Sequence, residues 1–370
     1  VSGEIAAAFV RALGAAAARR MSVVEAARRL GLEGYVRRHA GPDLPAITED
    51  ASARRLAGRL YESLLLEAAG EASAVFTARG IPHFVAKGVA FLGVLYQPGD
   101  REVADIDLWV PPDQESRARR ALSDVGFVEA GAQRQGGPDG LRPGRVFERG
   151  EGTGLTAVSV DLHWAVESVT RIIPRSAGGL PPEVWRRLEQ RGGFPVPAPA
   201  DHAALLVHHL VHHDLLHVRG LLDLALLWGE RACPRELFEP AARQLGVWRA
   251  ARFMAELLRR ELGITGAASV PPPPRGVRAA ALAWRMTLSA WLTLALAAPE
   301  VDYREMTLRR LLRRALLLDR GGDVVGLLAD GVWPPEAHVR WRWPETGSAA
   351  SARWHHARHL LRKLAGRALP

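Results

Sequence analysis

The chain has 370 residues, 48% hydrophobic and 24% charged. That balance excludes a disordered chain and leaves ample length for a buried core and two or three domains. A formal charge of +9 suits an anionic partner such as a nucleotide, nucleic acid or phosphorylated substrate, although an arginine-rich solvated surface gives the same number. The single cysteine, Cys233, excludes an internal disulfide and a cysteine-based zinc site.

Residues 1–78 read as a helical region, because Ala, Leu and Arg recur at helix spacing in "VVEAARRLGLEGYVRR" and "SARRLAGRLYESLLLEAAGEASAVFTARG". The "GPDLP" between these stretches is a turn signal. Residues 79–175 read as an α/β core. In it "HFVA" is a short apolar strand ending at Lys87-Gly88, "VAFLGVLY" has helical character, and "ADIDLWV" alternates as a strand does. "DQESRARRALSDVGF" is an amphipathic helix stopped at Gly126, and a glycine-rich connection leads to a second alternating run, "LTAVSVDLHWAV". Residues 176–370 return to helices. "DHAALLVHHLVHHDLLHVRGLLDLALLWGERA" reads as one long helix, the prolines of 271–275 as a rigid stop, and "ETGSAASARWHHARHLLRKL" as a last amphipathic helix. The most apolar run, "AALAWRMTLSAWLTLALAAP", contains Arg285 and reads as a buried helix rather than a membrane span. Charges interrupt the first twenty residues, so no secretory signal is expected and a cytoplasmic protein is. The fold class expected is α+β: a small mixed sheet flanked by helical regions.

In "ADIDLWV" a strand places Asp105, Asp107 and Trp109 on one face and Ile106, Leu108 and Val110 on the other. The two carboxylates then stand roughly 7 Å apart, a spacing that can embrace Mg²⁺ together with substrate phosphates. In "VSVDLHW" the same alternation puts Ser159, Asp161 and His163 together. If the strands are neighbours, three acids converge, and they would repel unless a cation neutralised them. Such a site should make Asp107→Asn inactive but no less stable, since one repelling charge is removed. Lys87 is one of only two lysines in a chain that otherwise uses arginine, and it stands at a strand-to-helix turn. Gly88 beside it would let a phosphate approach the backbone.

These residues resemble the uncharacterised nucleotidyltransferase group of the polymerase-β-like superfamily. The resemblance rests on Ala86-Lys87-Gly88, on residues 101–110 with Arg101 and Asp-Ile-Asp-Leu, and on Asp161-Leu162-His163-Trp164. It extends to the His-rich stretch carrying His209, His213 and Asp223, and to the later "VWPPEAHVRWRWP". Ala104 stands where glycine is frequent in the superfamily, and the stretch between Gly126 and Val158 matches poorly. The resemblance implies an enzyme that moves an NMP from an NTP to an acceptor hydroxyl or phosphate. Mg²⁺, or Mn²⁺, would lie on Asp105, Asp107 and Asp161, with Asp161 alternatively the general base. Phosphates would meet Lys87, Gly88 and Arg101, and His163, His209 and His213 would wall the acceptor pocket. The partners implied are an NTP and a small-molecule or peptide-like acceptor rather than nucleic acid.

Other readings compete. The fold could be retained for binding an NTP or another anion without turnover, or the acidic patch could be incidental in a nucleic-acid-binding helical protein. His209, His213 and His217 share a stripe at i, i+4 spacing, but Leu210 stands where a zincin needs Glu, so a structural or substrate-lining role is preferred over a metal. Asp223 is expected to pair with Arg219 one turn back. Arg309, Arg310, Arg313 and Arg314 form a basic stripe, read first as a solvated helix face and second as an RNA or anionic-membrane surface. Trp341 and Trp343 are read as packing residues or, alternatively, base-stacking ones.

Overall fold

The computed structural model describes residues 2–18, 21–40, 49–130, 144–150, 157–167, 178–213, 215, 217–231, 233–264, 270–275, 287–297, 314–336, 339–340, 343 and 345–364. Helices α1 (Ser2–Ala17), α2 (Val23–Arg29), α3 (Glu33–His39) and α4 (Glu49–Ala78) precede a mixed five-stranded sheet. Its strands are β1 (Phe84–Ala86), β2 (Ile106–Trp109), β3 (Val128–Glu129), β4 (Gly144–Arg149) and β5 (Val158–His163), in spatial order β1-β2-β5-β4-β3. Only β2 and β5 run parallel. Between β1 and β2 lies the single turn α5 (Lys87–Ala90), and between β2 and β3 the amphipathic α6 (Glu115–Asp124). Helix α7 (Pro182–Arg186) and a separate hairpin, β6 (Glu189–Arg191) with β7 (Phe194–Val196), lead into α8 (Pro199–His212) and α9 (Val218–Glu230). After them come α10 (Arg235–Gln244), α11 (Trp248–Leu262), α12 (Leu288–Ala297), α13 (Gly321–Val332) and α14 (Ala349–Leu364). The α+β class expected from the pattern is the one observed.

Period-2 alternation assigns the two faces of the sheet. Val85, Ile106, Leu108, Val160 and Leu162 are fully buried on one face, against Leu65, Ala68, Ala72 and Phe76 of α4 and Ala118, Ala121 and Leu122 of α6. Each such side chain contributes about 1.5–3 kcal/mol on burial. The opposite face carries Phe84, Ala86 and Trp109, which meet Leu205 of α8, and it also carries Asp107 and Asp161. A further core joins chain ends far apart in sequence: Ile5, Phe9, Leu13, Leu32 and Tyr35 pack with Leu206, Leu222, Trp228 and Met254. Thus α1–α3 belong with the late helices, while α4 lies on the sheet.

Four features differ from the sequence reading, the first being that "VAFLGVLY" is helical only to Ala90 and continues as turns. Strands β3 and β4 and the β6–β7 hairpin were not expected, because the first pair borders a glycine-rich stretch and the strands of the second are only three residues long. The run 23–38 is two helices, divided where Gly31 takes a φ of +65°. The supposed long helix of 201–232 is also two. Leu215 adopts a left-handed φ of +66°, its N–H donates to Leu210 O at 2.6 Å, and His217 caps α9 by accepting the Gly220 N–H. Among the described residues no helix is long and apolar enough to cross a membrane. Of the most apolar run, the described helix α12 buries Leu288, Trp291, Leu292, Ala295 and Leu296 on one face and leaves Leu294 exposed.

Candidate active site

The parallel register of β2 and β5 sets Asp107 directly opposite Asp161 and Trp109 opposite His163. Both acids therefore sit on the same face. His163 Nε2 lies 3.1 Å from Asp107 Oδ1 and 3.4 Å from Asp161 Oδ2. Asp107, Asp161 and His163 form the only group among the described residues whose donor atoms lie close enough together to share a metal ion. Asp105, half-buried just before β2, is outside that group. Burial, and then the charges of Asp107 and Asp161, push its pKa up to about 6.

Lys87 Nζ donates to Asp107 Oδ1 at 2.5 Å. Burial opposes the charge of this lysine, but Asp107, followed by Asp161 and Asp105, outweighs it and raises its pKa. Asp107 responds in the opposite direction. Burial favours its neutral form, yet the Lys87 charge and the His163 hydrogen bond hold it well below the usual carboxylate range. His163 is raised despite burial, by the charge of Asp161 and the bond to Asp107. Its ring stacks on Trp109 at 4.7 Å, and Trp109 stacks on Phe84. The repulsion expected among the acids is thus already offset by a lysine and a histidine.

The backbone of Lys87 has a φ of +52°, a left-handed conformation that an L-residue other than Asn or Asp seldom adopts. Its N–H donates to His202 Nε2 at 2.8 Å. His202 is buried, stacks on Phe91 at 4.4 Å, and is held to a pKa of about 3 by burial and then by Arg191, so it stays a neutral acceptor. Sequence reasoning missed this residue. At Gly88 the clearance is used by protein: an added Cβ would stand 2.8 Å from Val103 Cγ1 and 3.1 Å from Arg101 Nη1.

Arg101 is buried and pairs with Asp223 at 2.8 Å, while Tyr96 donates to the same carboxylate at 2.7 Å. The expected Asp223–Arg219 pair is therefore not what forms: Asp223 turns toward the loop before β2, and Arg219 donates to Glu102 O at 3.1 Å. This buried tie anchors the loop carrying Asp105 to α9. His209, His213 and His217 remain clustered although the helix breaks, with ring centroids 4.2, 4.8 and 5.3 Å apart. Burial, with Lys87 among the charges acting on all three, keeps them neutral. Arg309, Arg310, Arg313 and Trp341 lie outside the described residues. Arg314 is buried and donates to His212 O, unlike a solvated basic face, and Trp343 sits edge-on to His356.

A family model described as uncharacterised nucleotidyltransferase matches residues 17–263. The chain belongs to this family. No curated protein and no solved structure matches the chain. The family match takes in α2–α4 ahead of the motifs and ends within the C-terminal helices, short of the "VWPPEAHVRWRWP" segment. Both strands of the acid pair, Lys87 and the histidine cluster fall inside it.

Proposed function

We propose that this nucleotidyltransferase-family protein transfers a nucleoside monophosphate from an NTP to an acceptor hydroxyl or phosphate and releases pyrophosphate. The observation that carries the reading is the Asp107–Asp161 pair, set opposite one another on neighbouring strands with Asp105 adjoining. Two carboxylates so placed fit Mg²⁺ or Mn²⁺, which accept one or two carboxylates plus substrate phosphates. Held by Asp107 and Asp161, with Asp105 in support, the ion would neutralise charge on the attacking and leaving oxygens of an in-line displacement. Lys87 supplies a compact positive charge for the phosphates once they compete for it with Asp107. The Asp161 side chain is more exposed than that of Asp107, 25% against 8%, so it is the acid an incoming acceptor reaches and the one that takes the acceptor's proton. Arg101, spoken for by Asp223, contributes to the phosphates through its position beside Gly88 rather than as an unpaired cation. The neutral His209 and His213, close enough to feel the Lys87 charge, would wall the reacting end of the acceptor.

One observation favours a second reading, an NTP- or anion-binding protein without turnover: Lys87 and His163 already balance Asp107 without a metal. Pyrophosphate release separates the two. Incubation with each of the four NTPs and Mg²⁺ should release pyrophosphate well above an Asp107→Asn background. NTP binding without release would leave the second reading, and absence of NTP binding would sink the first and reduce the second to binding of another anion.

A further inference from the structure

The loop before β2 walls a cavity of about 480 Å³ outside the Asp107–Asp161–His163 cluster. Its other walls are α2, α3, α4 and the start of α9. The walls are tightly fixed. The Tyr35 N–H donates to Asp100 O at 2.9 Å, and the Glu102 N–H donates to Gly31 O at 2.8 Å. At Gly34 an added Cβ would fall 1.7 Å from Gly99 O, so only glycine allows helix and loop to meet this closely. Tyr61 Oη lies 3.1 Å from the carbonyls of both Ala104 and Ala157, tying α4 to the strand ends.

Arg28, Arg37, Arg54, Arg55, Arg101 and Arg219 line this cavity. Arginine is this chain's usual cation, so the number alone decides little; the pairing does. Four acids also line the cavity, and three are engaged: Glu33 with Arg37, Glu62 with the Gly99 N–H, and Asp100 with Arg38. Burial raises the pKa of both Glu62 and Asp100. Arg55 and Arg219, by contrast, form no ion pair among the described residues. The Nε atoms of Arg55 and Arg101 are buried without a hydrogen-bond partner there. Burial and then the neighbouring Arg101 hold Arg219 below its ordinary pKa, against the pull of Glu102, the fourth acid of the cavity, and of Asp223 and Asp105. Buried donors without acceptors are costly unless something fills them.

None of Lys87, Asp107, Asp161 and His163 lines the cavity, so it is not where a metal-bound triphosphate is gripped. It reaches the site at Ala104, and Arg219 lies near enough to lower the pKa of the adjoining Asp105. Its volume falls within the roughly 300–1,000 Å³ usual for small-molecule sites. We propose that this cavity holds the acceptor, and that the acceptor is a small molecule bearing a phosphate group, gripped by the planar donor forks of Arg55 and Arg219. The acceptor role rests on the transferase reading; the anion site itself does not.

Calorimetry on the full chain in EDTA at physiological salt tests it, with fructose 1,6-bisphosphate as the probe and citrate and ATP as competitors. The expected result is one-to-one binding of the bisphosphate without metal, weakened at least tenfold by Arg55→Gln and by Arg219→Gln, with each variant's melting curve confirming its fold. Arg55→Gln should leave Mg²⁺-ATP binding within about twofold of wild type. Absence of probe binding, or affinity untouched by both substitutions, would overturn the site. Displacement by metal-free ATP would make it the triphosphate site, and equal binding of citrate would remove phosphate as the feature recognised; either result overturns the proposal. Because the direct titration of the bisphosphate contains no NTP and no divalent ion, its failure leaves pyrophosphate release to stand or fall separately.

Discussion

Asp107 carries more of the local electrostatics than its neighbours, since it accepts from both Lys87 and His163. From the strand pattern alone, Asp107→Asn should relieve repulsion and leave stability unchanged or raised. The structure reverses that expectation, because the substitution strands a largely buried ammonium and a raised-pKa imidazole. Removing one member of a buried pair costs about 3–5 kcal/mol, and the partial exposure of this one places the loss near the lower end. Urea unfolding of Asp107→Asn beside wild type measures it, and its NTP turnover should be abolished. Lys87 gives the companion test. Loss of a charge-assisted hydrogen bond is worth about 1.5–3 kcal/mol, so Lys87→Ala should weaken NTP binding roughly ten- to a hundredfold, with Lys87→Arg recovering only part. The left-handed φ of +52° adds a second readout. Lys87→Gly should be more stable than Lys87→Ala by about 1 kcal/mol, because glycine meets no penalty there. Equal stabilities would mean that the conformation is not held in solution.

At the scale of elements, the legible parts were those with a strong period. The alternation of "ADIDLWV" and "VSVDLHW" placed Asp107 and Asp161 on polar faces, and the parallel pairing of β2 with β5 puts them on the same one. Nothing in the sequence could show that β5 is reached through β3 and β4, since β3 has only two residues and β4 emerges straight from a glycine-rich stretch. His202 was invisible for another reason: its partner is a backbone N–H 115 residues away. The break between α8 and α9 was hidden because Leu215 holds a conformation usually left to glycine. Two effects compete in Leu215→Gly. Relief of backbone strain gains about 1–2 kcal/mol, while loss of a side chain only 2% exposed costs about 2–5 kcal/mol. The lost packing outweighs the relieved strain, and a net loss of about 1–3 kcal/mol is expected in equilibrium unfolding. A gain in stability would show that the side chain contributes little to the core.

Across the whole molecule, two sets of groups respond to pH with opposite signs, Asp107 falling with the depressed set and His163 with the raised one. Asp105, Asp223, Glu62 and Asp100 have raised pKa values, chiefly through burial, and His163 through its acids; all five bind protons more readily folded than unfolded. His202, His208, His209, His213 and His217 are depressed by burial and do the reverse. The total acid response is a difference between these sets, so a single substitution reads it more cleanly than a wild-type titration. His208 suits the purpose. It lies on α8, and its Nε2–H donates to Glu167 O at 2.7 Å, a bond that a glutamine amide can replace. Its folded pKa is about 4 against an ordinary value of 6.5. Between those values the unfolded chain binds the extra proton, so the contribution of His208 is complete above pH 6.5 and is lost as pH falls toward 4. By pH 5 that loss is about 2 kcal/mol. The stability lost between pH 7.5 and pH 5 should therefore be about 2 kcal/mol smaller in His208→Gln than in wild type, read from urea melts at both values. Equal losses would mean that His208 is protonated as readily in the folded protein as in the unfolded chain, contrary to its burial against Glu167.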